Sequence, residues 1–261
     1  MSLYAICFSP TGGTQKVMAE LCKGWGQPVI PVDLCDAAGL AAAPACFGRQ
    51  DICLIGVPSY GGRVPAVAVE RLARLKADGT PAVVVVVYGN RAYEDTLLEL
   101  RDAVAACGFS PLAAVAAVAE HSIVRQFGAG RPDAQDAAEL QQFARAIMQK
   151  LQGSDPNGVA GVVEVPGNRP FKAFGGVPIK PKAGKNCTGC GTCAIRCPVG
   201  AIPPEHPEQT DKDKCISCMR CLSVCPAQAR APNPVMLMGV TQALKKVCTE
   251  RKKNELFLTQ A

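Results

Sequence analysis

The chain has 261 residues, 48% hydrophobic and 5% aromatic, with 15 cysteines and a formal net charge of +6. That length supports one full core plus a small second unit. Its apolar runs are far too short to span a bilayer, no signal peptide is evident at the start, and the scarcity of aromatics and of long basic blocks excludes a nucleic-acid binder. These features predict a cytoplasmic protein without a membrane span.

The first 152 residues alternate strand and helix patterns. Strands are predicted at 3–8 (LYAICF), 29–34, 51–57 (DICLIGV), 82–88 (AVVVVVY) and 112–118, and helices at 14–25, 66–76, 93–107 and 133–151. Strands apolar on both faces and separated by helices predict an α/β fold, a five-stranded doubly wound parallel sheet. Residues 153–184 are punctuated by Gly, Pro and Asn and read as a linker. Val162, Val163, Val165, Phe171 and Phe174 make it too apolar for a free tether. Residues 185–232 are cysteine-rich and predict a small α+β unit, and 233–261 reads as a helical tail.

The cysteine-rich unit contains an internal repeat. CTGCGTCAIRCP at 187–198 recurs as CISCMRCLSVCP at 215–226, offset by 28 residues. Each copy is Cys-x2-Cys-x2-Cys-x3-Cys-Pro, the thiolate spacing that wraps a [4Fe–4S] cube. Zinc knuckles take ligands in two pairs and do not explain a duplicated three-plus-one set. In two-cluster ferredoxins the fourth cysteine ligates the other cluster. On that pattern Cys187, Cys190, Cys193 and Cys225 hold one cluster, and Cys215, Cys218, Cys221 and Cys197 the second. This segment resembles bacterial two-cluster ferredoxins over about 48 residues. Two such clusters and a phosphomonoester would bring the net charge close to neutral. The other seven cysteines read as small apolar packing residues.

Three loops after predicted strands are unusual. The first, SPTGGT, offers Ser9, Thr11, Gly12, Gly13 and Thr14 ahead of a helix, a cradle for a phosphate dianion. No lysine occupies the Walker position, since Lys16 lies within the helix; that argues for a static anchor instead of nucleotide hydrolysis. The second loop carries Ser59, Tyr60, Gly61, Gly62 and Arg63, and the third Gly89, Asn90, Arg91 and Tyr93. The glycines permit close approach to a flat ligand, the two tyrosines offer stacking faces, and Asn90 offers hydrogen bonds to a pyrimidine edge. At one end of neighbouring strands these loops describe an FMN site. His121, after the fifth strand, is a candidate lining or catalytic residue at the same end.

In these loops the chain resembles flavodoxins: SPTGGT matches their phosphate loop, GVPSYGGRVP their second flavin loop and YGNRAYEDTLLEL their third. Arg91 and Tyr93 depart from the acidic and aromatic residues often found there, and a cation near the ring would favour an anionic reduced flavin. Overall the chain resembles the flavodoxin–ferredoxin fusion proteins of anaerobes. The resemblance implies an FMN-binding domain at 1–152, a linker at 153–184, a two-[4Fe–4S] domain at 185–232 and a tail at 233–261. It also implies electron transfer between the clusters and FMN, with a ferredoxin, flavodoxin or reductase as redox partner. The alternatives are an FMN-dependent reductase of a small organic acceptor or metal ion, fed by its own clusters, and a redox sensor.

Overall fold

The computed structural model describes residues 2–36, 38–152 and 161–259. The part of the predicted linker at 153–160 lies outside the described residues. Chain order runs β1 (Leu3–Cys7), α1 (Gly13–Trp25), β2 (Val29–Asp33), a 3-10 turn (Ala38–Ala42), β3 (Ile52–Pro58), α2 (Ala66–Leu72), β4 (Thr80–Tyr88), α3 (Thr96–Ala106), β5 (Phe109–Val118) and α4 (Ala134–Gln152). After these come β6 (Lys182–Ala183), α5 (Thr192–Ile195), α6 (Arg220–Ser223), β7 (Arg230–Ala231), α7 (Pro234–Cys248) and β8 (Glu255–Leu258).

The large sheet has the order β2-β1-β3-β4-β5-β8. Its first five strands are parallel, in the 2-1-3-4-5 order of the flavodoxin-like doubly wound fold. Two apolar layers form on its faces. One contains Phe8, Ile55, Val84 and Leu100, and the other Leu3, Val17, Leu54 and Leu140, all buried. Successive residues of β3 and β4 feed opposite layers, which is why those strands read as unbroken apolar runs.

The structure differs from the sequence reading at the tail. The predicted helix ends at Cys248, and Glu255–Leu258 then pairs antiparallel with β5 as a sixth strand. From Pro111 onward strand β5 is apolar and buried on both faces, so its open edge needs a partner. Helix α7 starts at a well-formed cap: the Asn233 Oδ1 accepts hydrogen bonds from Val235 N (2.9 Å) and Met236 N (3.2 Å), with Pro234 in the first turn. It packs Leu237, Val240 and Leu244 on Val124 and Phe127.

The described part of the linker lies against α3. Val163 is fully buried and donates its N–H to Pro111 O at 2.9 Å. Both oxygens of the buried Asp95 carboxylate are occupied, Oδ1 by Asn168 N (2.8 Å) and Oδ2 by Lys172 N (2.7 Å). These contacts hold the Asp95 carboxyl below the usual range, the Lys172 N–H bond foremost.

Strands β6 and β7 pair antiparallel and clamp the two ends of the cysteine-rich segment together. The internal repeat extends to the backbone. Gly189, Gly191 and Gly200 have φ of 70°, 72° and 61°; their counterparts 28 residues later, Ser217, Met219 and Gln228, have φ of 57°, 61° and 48°. The second copy therefore adopts with ordinary residues a left-handed geometry that the first reaches with glycine. The last cysteine of each copy is also treated alike: Ala201 N donates to Cys197 Sγ and Ala229 N to Cys225 Sγ, both at 3.3 Å.

Candidate functional site: two thiol cradles and a cavity at the strand ends

The cysteine-rich segment encloses two small cavities of similar size. Cys187, Cys190, Cys193 and Cys225 line the first. Cys197, Cys215, Cys218 and Cys221 line the second. Each cavity thus receives three thiols from one copy of the repeat and the fourth from the other. Among the described residues no group of three His, Cys, Asp or Glu is placed to hold a single metal ion. The donor set, four soft thiols ringed around each of two matched spaces, fits [4Fe–4S] clusters.

Arg230 braces the first cradle. It is buried, its Nη1 donates to Pro207 O at 2.6 Å and lies 3.4 Å from Cys193 Sγ, and its Nη2 reaches Thr210 Oγ1. The guanidinium thus ties the connector between the two cysteine runs to the first set of thiols.

A third cavity opens at the carboxyl ends of β1, β3, β4 and β5, spanning the β1/β3 point where strand order reverses. Of the residues singled out by sequence, Ser9, Thr11, Gly13, Thr14, Ser59, Tyr60, Gly61, Gly89 and His121 line it. Helix α1 begins beside it at Gly12, which has φ 86° and makes no side-chain cap. The N–H groups of Gly13 and Thr14, both of which line the cavity, are the first-turn donors left for a phosphate. Ser9 Oγ accepts from Gln15 N at 2.9 Å, which fixes the loop against the helix. A further cavity shares Thr11, Gly13, Glu120 and Ser122 with this one and adds Lys16, Arg125 and Arg131. Arg125 is paired with Glu120 and Arg131 with Asp136, so Lys16 is the cation of this group without a carboxylate partner among the ion pairs of the described residues.

The remaining sequence candidates point elsewhere. Asn90 is buried at φ 64°, and its Nδ2 donates to Cys248 O (2.6 Å) and Glu250 O (2.8 Å) while its Oδ1 accepts from Lys252 N (3.1 Å). It holds the tail. Arg91 pairs with Glu94 at 3.0 and 2.9 Å, which neutralises it locally. Tyr93 stacks edge-on against Tyr88 and donates its hydroxyl to Glu255 at 3.0 Å. Arg63 forms a two-pronged pair with Glu99, both at 2.8 Å, and covers the Phe171 ring. A Cβ on Gly62 would collide with Glu94, so its glycine serves that packing.

Among the lining residues that sequence reasoning missed are Phe174 and Val177 from the linker and Ile216 and Ser217 from the second cysteine run. Phe174 lies on Gly61 so closely that a Cβ there would come within 2.1 Å of its ring. The enclosed space is ≈ 120 Å³, below the roughly 300–1,000 Å³ of sites for drug-sized ligands. The cradle end thus has the donors a phosphate needs, while Phe174 over Gly61 narrows the other end. The apolar signal in the linker was visible in sequence, but its target was not.

His121 is held in one state. Its Nδ1 accepts from Ile123 N and Val124 N, both at 3.1 Å, which leaves the proton of the neutral ring on Nε2. Burial, with a smaller contribution from Arg91, lowers its pKa to about 4.

The cysteine-rich unit docks beside this cavity. Arg71 of α2 donates to Leu34 O (2.5 Å) and across the junction to Pro198 O (2.7 Å). Ser223 Oγ donates to Pro10 O in the phosphate loop at 3.2 Å. Val199 and Ile216 pack on the apolar core of the first unit.

Residues 186–230 match the family model of the 4Fe-4S dicluster domain. A curated relative, one of the subunits of the ion-translocating oxidoreductase complex of Methanosarcina acetivorans, is 41% identical over 44 residues. That stretch is 16% of this chain and 17% of the relative, so the chain spans only a small part of that protein's length. Among solved structures, the flavodoxin of Streptococcus pneumonia TIGR4 aligns at 21% identity over 57% of this chain and 99% of its own, with a TM-score of 0.39. Oxidised flavodoxin 2 from Bacillus cereus aligns at 14% identity over the same shares, with a TM-score of 0.41. The fold assignment itself rests on the strand order. The chain joins a flavodoxin-like domain to a 4Fe–4S dicluster segment. Among the described residues no helix is long and apolar enough to cross a membrane.

Proposed function

We propose that this chain is an electron-transfer protein that passes electrons between two [4Fe–4S] clusters and FMN. The observation that carries the reading is the position of Ile216. This residue follows Cys215 and lines both the second thiol cavity and the cavity at the strand ends. One side chain therefore separates the second cluster's cradle from the flavin compartment. When bound, the clusters supply one-electron steps and the flavin one- or two-electron steps.

The chain's residues divide the work. Ser9, Thr11, Gly12, Gly13 and Thr14 hold the phosphate, with Lys16 supplying positive charge behind them. Ser59, Tyr60, Gly61 and Gly89 flank the ring. Cys187, Cys190, Cys193 and Cys225 hold the outer cluster, and Cys197, Cys215, Cys218 and Cys221 the inner one. Exposed Cys190 and Ile195 mark the side where an external redox protein exchanges electrons. The unit boundaries that follow are 1–152, 153–184, 185–232 and 233–261. His121, neutral at physiological pH, offers an Nε2–H to hydrogen-bond and not a ready proton. That favours relay over reduction of a small acceptor at the same site.

The test is an anaerobic purification followed by stepwise reduction. The protein is expected to hold about eight iron, about eight sulfide and one FMN per chain. Cys218→Ala is expected to slow flavin reduction by a reduced ferredoxin roughly tenfold or more, with FMN content retained. Protein that lacks flavin and takes up none on addition of FMN overturns the reading, as does an unchanged rate in the variant.

A further inference from the structure

A fourth cavity lies away from the flavin compartment and shares only Ser9 with it. It is a cleft of about 680 Å³, formed where α1 and the edge strand β2 meet the cysteine-rich unit. That volume falls in the range of roughly 300–1,000 Å³ typical of small-molecule sites. One wall is apolar, built from Ala5, Met18, Val29, Pro31 and Val32. The opposite wall carries two guanidinium groups, Arg196 and Arg220, one from each copy of the cysteine repeat.

Two residues that line the cleft carry unmet hydrogen-bond donors. Arg220 is only 6% exposed, and its Nε has no hydrogen-bond partner. Across the cleft Gln27 Nε2 is likewise buried and unpartnered. Among the described residues four buried side-chain polar atoms lack a partner, and two of them belong to residues lining this one cleft. The ion pair of Arg220 with Asp33 is long, 4.0 Å, and the Asp33 side chain is 48% exposed, so it compensates the guanidinium poorly. Neither orphan atom is itself open to the cleft. The exposed Arg196 and the Arg220 guanidinium, which Asp33 offsets only weakly, leave positive charge there for an acceptor-rich anion, whose body would cover the apolar wall.

We propose that this cleft binds a small organic anion, an apolar or aromatic body bearing a carboxylate, sulfonate or phosphate. The charged group lies between Arg196 and Arg220, and the body lies along α1 and β2. Arg220 lines the second thiol cavity as well, so the bound anion rests next to the inner cradle.

Equilibrium dialysis of the anaerobic, FMN-replete protein with 8-anilinonaphthalene-1-sulfonate tests this. Saturable binding near one per chain is expected. Affinity should fall tenfold or more in Arg220→Met and in Ala19→Trp, which fills the cleft from α1. N-phenyl-1-naphthylamine, the same body without the sulfonate, should bind at least tenfold more weakly. Iron analysis shows whether Arg220→Met keeps its clusters, and Ala19→Trp, remote from the cysteines, decides the matter if it does not. The proposal fails if there is no saturable binding, if Ala19→Trp binds as the parent does, or if the neutral analogue binds equally well.

Discussion

His121 shows how one side chain's surroundings fix its chemistry. The folded protein holds it neutral, with a pKa lowered to about 4 mainly by burial, whereas an unfolded chain would protonate it near 6.5. Between these values the unfolded state binds the extra proton, so folding stability rises with pH across the window and is lost as pH falls through it. At pH 5.5 the loss relative to pH 7.5 is about 1.4 kcal/mol from this residue. His121→Gln carries no such proton. Its stability gap from the parent, measured by denaturant titration at both pH values, should shift by that amount in favour of the variant at pH 5.5. An identical gap at both values would show that His121 titrates normally and would return it to the pool of candidate proton donors.

At the scale of elements, the third strand-end loop and the tail form one structure. Asn90, in a left-handed turn, ties Cys248, Glu250 and Lys252 to the end of β4. Asn254 continues the seam, with its Oδ1 accepting from Val118 N at 2.9 Å and its Nδ2 donating to Glu139 at 2.6 Å. Arg251 pairs with Asp133 and Asp136, and Asp133 is held well below the usual carboxylate range, chiefly by Arg251. Asn90→Ala leaves three backbone groups without their partner. It should destabilise by about 2–4 kcal/mol and raise hydrogen exchange in Glu255–Leu258 before the rest of the sheet. Protection of β8 equal to that of β4 in the variant would contradict the seam. This seam also explains what the sequence concealed. Continuous apolar runs announce β3 and β4, because burial on both faces leaves no polar alternation. The spacing of eight cysteines announces two cradles, because ligation is local. In contrast, GNRAY is a turn whose polar side chains suit a ligand or a distant backbone equally well. Only tertiary structure decides that Asn90 and Tyr93 reach the tail. The four-residue ELFL strand is likewise invisible until the edge of β5 exists to receive it. Ser217, Met219 and Gln228 mask the second copy's left-handed turns, which glycine makes plain in the first.

At the scale of the whole molecule, transfer between the two units depends on how firmly the cysteine-rich unit sits against the strand ends. The junction carries few polar contacts, and Arg71 makes the one that crosses from α2 to Pro198, immediately after the inner cradle's Cys197. A hydrogen bond from a charged donor contributes about 1.5–3 kcal/mol, and 1.4 kcal/mol is a factor of about ten in a docking equilibrium. Arg71→Met keeps much of the aliphatic stem and removes the donor. The variant should retain its iron, sulfide and FMN, yet show flavin reduction by a reduced ferredoxin slowed roughly tenfold or more in stopped-flow absorbance. Ser223→Ala, which removes the contact to Pro10, should slow it less, since a neutral hydrogen bond contributes only about 0.5–1.5 kcal/mol. Parent-like rates in Arg71→Met would assign the docking to the apolar contacts of Val199 and Ile216 instead. In that case Ile216→Ala, which thins the layer between the inner cradle and the flavin compartment, becomes the substitution that changes the rate.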